Sequence, residues 1–168
     1  MTEARDAQRA AVYAAENQVA RLLDRSAEFP VAEVAGSHVT LPVERHFADL
    51  PSVQAYLDKV LALAWVRQRW PDTAAQPVVV RERRGAARAH YERDGAVVAL
   101  PLHHGGTAWA LRELVVLHEL AHHLGGDADT GHGPAFAGRL VELADGVIGP
   151  EAAFLLRVTM ADQGVTIG

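Results

Sequence analysis

Cysteine is absent from the 168 residues. That excludes disulfides, thiol catalysis and every cysteine-based zinc knuckle, so a metal in this chain must be held by His, Asp or Glu. Aromatic residues make up only 6 %, and no apolar run is long enough to cross a bilayer. Basic residues form no long block and the net charge is −5 with histidine neutral, so a surface that tracks nucleic-acid phosphates has no support in the overall charge. The N-terminal "MTEARDAQRAAVYAAE" lacks the basic-then-apolar pattern of a secretory signal. These absences lead us to expect a cytoplasmic protein that neither enters membranes nor binds nucleic acid. Nearly half of the residues, 49 %, are hydrophobic, enough for one core without covalent staples.

Periodicity and turn residues give the organisation. Residues 2–28 read as an amphipathic helix, with Val12, Val19, Leu22 and Leu23 at helical spacing. A short β segment is expected at "HVTLPV". A second helix is expected over "LPSVQAYLDKVLALAWVRQRW", with Pro51 in its first turn and Pro71 ending it. "PVVVRER" and "ARAHYERDGAVVALPL" read as three strands, the last two a hairpin turning on Asp94-Gly95. Thr107 is then placed to cap a helix over about 108–124, closed by Gly125-Gly126. Pro134 and Pro150 open two more helices, to about 145 and about 163. The expected fold is a single α+β domain over 1–168, a small antiparallel or mixed sheet packed by several helices. Its core would lie at about 77–146, and its last helix at about 150–163.

One stretch breaks the pattern. "VVLHELAHHLGG", residues 115–126, sets three histidines and a glutamate among residues suited to a core. Within it His118-Glu119-Leu120-Ala121-His122 forms HExxH. Residues four apart on a helix are offset by only about 40°, so both imidazoles can address one zinc ion. Glu119 lies about 100° further round, suited to a water on the ion rather than to the ion itself. Zinc lowers the pKa of such a water to about 7, and the carboxylate can take its proton as it attacks a carbonyl. Left uncoordinated, the two rings would be polar groups in a core, each needing its own hydrogen-bond partners.

A catalytic zinc takes three protein ligands and keeps one position open. His123 lies about 140° round the helix from His118, which points it to the surface or to the ligands' surroundings. Ala128 stands where a metzincin has its third histidine. Glu142 shares its side of the next helix with Gly138, Arg139 and Asp145, away from the apolar stripe of Phe136, Leu140, Leu143, Ala144 and Val147. His132, in "GHGPAF", is the preferred third ligand, with Gly133 permitting a sharp approach and Phe136 anchoring the helix behind it. Glu142, Asp127 and Asp129 remain as alternatives, Asp129 also as a hydrogen-bond partner of a ligand histidine.

HELAH followed by HGPAF resembles the SprT-like zinc proteases, over about residues 96–140. The segments "RDAQRAAVYAAENQVARLL", "RAHYE" and "WALRELVVLHELAHHL" resemble, over the whole chain, an actinobacterial family of metallohydrolases. The SprT-like resemblance implies a minimal zincin-like domain with a strand beside the metal helix. It also implies Zn²⁺ on His118, His122 and His132, with Glu119 as general base. The interval between His122 and His132 is shorter than in that family, and neither a Cys-bearing zinc module nor a basic tail accompanies it, so proteolysis directed to DNA is not implied. The expected activity is a zinc-dependent metallohydrolase cleaving peptide bonds of a peptide or protein substrate. Two alternatives use the same residues: amide or ester hydrolysis of a small molecule, and a non-catalytic module stabilised by its metal. "AVVALP" is a candidate edge strand for an extended substrate. His103 and His104 are candidates to line the cleft, His90 and Tyr91 to donate to an oxyanion. Arg112 is read as structural.

Overall fold

A computed structural model describes residues 6–102, 111–129 and 131–168. The fold is α+β, with seven α-helices and two small sheets among the described residues. The chain divides into two compact units, Met1–Glu44 with Asp127–Gly168, and Arg45–Gly126. No helix of the described residues is long and apolar enough to cross a membrane.

The first unit starts with α1 (Arg9–Asp24). The helix is shorter than the expected 2–28: residues 25–28 form turns, and 2–5 lie outside the described residues. Val12, Ala15, Val19 and Leu23 are its buried stripe, at the 3–4-residue spacing of one helical face. β1 (Val31–Val34) and β2 (Ser37–Thr40) follow as an antiparallel hairpin. Sequence reading found only the second of these strands. Its turn is Ala35-Gly36, with φ of 48° and 76°, the two left-handed residues of a type I′ connection. Alanine at the first of them hides the signal that Asn-Gly or Asp-Gly would give.

The second unit starts with α2 (Leu50–Ala62), capped by Asp49, whose carboxylate accepts from the Ser52 backbone N–H at 2.9 Å. The expected helix to Trp70 is interrupted. Leu63 is extended (φ −60°, ψ 134°), and α3 (Ala64–Arg69) and α4 (Pro71–Ala74) follow. The break re-phases the chain, burying Val66 and Trp70 while Leu63 stays exposed. Pro71 opens α4 rather than ending a helix, as its missing N–H permits at a first turn.

β3 (Val79–Glu82), β4 (His90–Glu92) and β5 (Val97–Leu100) form a mixed sheet in the order β3-β5-β4. β5 pairs parallel with β3 and antiparallel with β4. The strand read as a candidate edge is therefore central, and both its sides are already paired. β4 is the marginal strand that packs on the HExxH helix. The other margin is closed by a side chain: Gln54 of α2 donates to the Val78 carbonyl at 2.8 Å and accepts from the Val80 N–H at 2.8 Å. In the β4–β5 turn the positive-φ residues are Gly95 and Ala96 (81° and 51°), one position later than the expected Asp94-Gly95.

α5 (Glu113–Gly125) carries HExxH and packs on α4, β4 and β5. It starts later than expected, because Arg112 is extended (ψ 149°). Residues 45–47 run antiparallel to 111–113, with the Glu113 N–H on the Arg45 carbonyl at 2.9 Å and the Phe47 N–H on that of Leu111 at 2.7 Å. This pairing satisfies one donor that a helix start leaves open. Thr107, His103 and His104 lie outside the described residues.

After a short 3₁₀ turn (Gly126–Ala128) come α6 (Pro134–Val147) and α7 (Pro150–Asp162), both starting at the prolines that announced them. Both belong to the first unit, where α7 packs against α1 and α6. Phe136, Leu140 and Leu143 of α6 and Leu155, Leu156 and Met160 of α7 are fully buried. Each such side chain removed from water contributes roughly 1.5–3 kcal/mol before entropy is counted.

Candidate metal centre

α5 is buried on nearly every side. His118 is 2 % exposed, Glu119 3 %, and His122 half-buried. The four-residue spacing sets the His118 and His122 rings 5.1 Å apart, centroid to centroid, at an interplanar angle of 65°.

His123 takes a different role from its neighbour. It is 1 % exposed, not at the surface. Its Nε2 lies 2.9 Å from the Thr73 carbonyl and 3.2 Å from that of Gln76, and its Nδ1 lies 2.9 Å from the Tyr91 hydroxyl. Carbonyls only accept, so Nε2 carries the proton and Nδ1 accepts from Tyr91. Burial, with a smaller push from the charge of Arg93, holds its pKa below the ordinary histidine value despite the two carbonyls. His123 is thus a neutral ring with both nitrogens committed, tying α5 to α4 and β4. Tyr91 is buried and directed at it, while His90 is exposed.

A second buried polar group on α5 gave no sequence signal. Glu113 is fully buried and accepts from the Arg45 backbone N–H (2.9 Å), the Arg45 guanidinium (2.8 Å) and the Tyr56 hydroxyl (2.6 Å). The Glu113 hydrogen bond raises the pKa of Arg45. Arg112, read as structural, is buried at the helix entrance in the bridge to His46.

His132 is 6 % exposed and held by residues that precede it by more than a hundred positions. Its backbone N–H donates to Asp6 Oδ1 at 3.0 Å, and its Nδ1 lies 2.6 Å from Asp6 Oδ2. Its carbonyl accepts from Gln8 Nε2 at 3.1 Å, and Gln8 Oε1 in turn accepts from the Thr166 N–H at 2.7 Å. The rings of Tyr13 and Phe136 lie 5.2 and 4.9 Å from the imidazole. Burial opposes ionisation of Asp6, but the hydrogen bonds from the His132 side chain and backbone, with the nearby charges of His132 and Arg9, hold its pKa below the ordinary carboxylate value. The glycine that matters is Gly131, not Gly133. Gly131 has φ 103°, and a Cβ there would lie 2.7 Å from Asp6 Oδ2; at Gly133 φ is −69° and a Cβ would meet nothing. Asp129 pairs with Arg139.

One ring nitrogen from each of His118, His122 and His132 lies within 4.8 Å of the others, the grouping of three metal-competent side chains among the described residues. Glu142 and Asp127, the alternatives for third ligand, are not in it. The donor set suits zinc. Three neutral nitrogen ligands are a common catalytic complement for that ion. Comparison of the chain with protein-family models, with curated proteins and with solved structures finds no match.

Proposed function

We propose that this chain is a zinc-dependent metallohydrolase with a zincin-like core, acting on peptide bonds. The observation that carries the reading is the approach of the three imidazoles, two from successive turns of one helix and one from the entrance to the next. Their surroundings support it: His118 and His132 are buried, and the Nδ1 of His132 is held by the Asp6 carboxylate at 2.6 Å. His118, His122 and His132 would hold the ion, which when bound would polarise a scissile carbonyl and acidify a water.

The remaining chemistry falls to Glu119. As general base it takes a proton from the water that attacks the carbonyl carbon. It returns that proton to the amine nitrogen as the C–N bond breaks. Amide or ester bonds of small molecules would be cleaved by the same steps.

Elemental analysis and turnover on a peptide library, comparing wild type with Glu119→Gln, test this reading. Near-stoichiometric zinc in both is expected, with turnover of the variant lower by about 10²–10⁴. A wild-type chain that takes up no zinc overturns the reading. Equal turnover in the two removes Glu119 from the mechanism. Zinc without hydrolysis in either would make the chain a metal-stabilised module, with a large loss of thermal stability on chelation.

A further inference from the structure

Asp6 is seven residues from Tyr13 in the sequence and one hundred and twenty-six from His132, yet it makes both of its close hydrogen bonds to His132. One carboxylate oxygen faces the backbone N–H and the other the ring nitrogen Nδ1. An ionised carboxylate only accepts, so Nδ1 carries a proton and Nε2 is the nitrogen suited to a metal. Two-point attachment fixes the ring's direction as well as its tautomer. Gln8 holds the carbonyl of the same residue, Tyr13 and Phe136 flank the ring, and Gly131 leaves the space that the Asp6 carboxylate fills.

We propose that Asp6 is the positioning residue of the metal centre, presenting His132 to the ion through a carboxylate–imidazole pair on the N-terminal segment. This rests on the metal reading above and adds to it a residue outside the HExxH…H pattern. A ligand histidine with its second nitrogen on a carboxylate is a better donor and is held in one orientation, and loss of such partners typically weakens metal binding 10–100-fold.

Asp6→Asn is the informative change. Asparagine keeps the size and one acceptor but presents an amide NH₂ to one of two donors. If that NH₂ meets Nδ1, the imidazole proton moves to Nε2, the ligand nitrogen. We expect zinc affinity, measured by competition with a chromophoric chelator, to fall about 10–100-fold. Asp6→Glu, which restores a carboxylate, should recover part of the loss. The metal-free chain gives an independent readout: ¹⁵N NMR of the His132 ring should show the proton on Nδ1 in wild type and on Nε2 in Asp6→Asn. A role confined to stability would lower the melting temperature of the variant without moving the tautomer. Wild-type zinc affinity in folded Asp6→Asn overturns this inference alone, as does an Nε2–H tautomer in the wild-type chain. A wild-type chain that binds no zinc overturns the metal reading and this inference together.

Discussion

His123 and His132 are both almost completely buried, and their partners give them opposite capacities. His123 spends both nitrogens on two carbonyls and a phenol. All its partners are neutral, and the ring serves as a cross-brace between helix and sheet. His132 has one nitrogen on a carboxylate, an arrangement that orients a ring and increases its electron donation. Burial alone therefore does not mark a functional histidine. What distinguishes the two is the charge of the group on Nδ1, a phenol for His123 and a carboxylate for His132.

Three substitutions would break or sharpen that contrast. The largest effect is expected from His132→Ala, which should weaken zinc binding by roughly a hundredfold or more, since loss of an outer partner alone costs 10–100-fold. Isothermal titration with zinc measures it, and unchanged affinity would put His132 in the same structural class as His123. Next is His123→Leu. The leucine fills the space but removes the acceptor of the Tyr91 hydroxyl and the donor to the Thr73 and Gln76 carbonyls. A loss of about 2–4 kcal/mol in urea unfolding is expected, because each buried group left unsatisfied costs about 1–3 kcal/mol. Zinc affinity of the folded fraction should match wild type; a drop like that of His132→Ala would erase the distinction. The smallest effect is expected from Gly131→Ala, which puts a side chain at φ 103° and 2.7 Å from the Asp6 carboxylate. A loss of about 1–3 kcal/mol, as for other strained backbone positions, is expected in thermal unfolding. Displacement of Asp6 should also give zinc binding weaker than wild type but stronger than in His132→Ala.

The parts of the molecule legible in the sequence are those governed by neighbours in the chain. Pro134 and Pro150 mark the starts of α6 and α7 because a proline's fixed φ and missing N–H suit a first turn. HExxH shares a face because helical spacing alone dictates it. His132 is legible as a candidate because it lies ten residues after His122, in "GHGPAF" at the entrance of the next helix. The misses come from distant partners. Asp6 is an ordinary acidic residue near a helix start until it meets Gly131 and His132. Glu113 is buried because Arg45 and Tyr56 supply its donors. The helical angle of His123 points it to the surface or to the ligands' surroundings, but α4 and β4 cover that side of α5 as well. The central position of β5 depends on a parallel partner, β3, that no local pattern specifies. The Leu63 break has neither glycine nor proline to signal it, and it is the burial of Val66 and Trp70 that accompanies it.

Gln54 has a consequence of another kind. The rim of a small sheet is a template on which further chains can stack. By occupying the Val80 donor of β3 and the Val78 acceptor just before it, this carboxamide does what the peptide group of an added strand would do. Two backbone groups on that border are thus closed to an incoming strand by a single side chain held on α2.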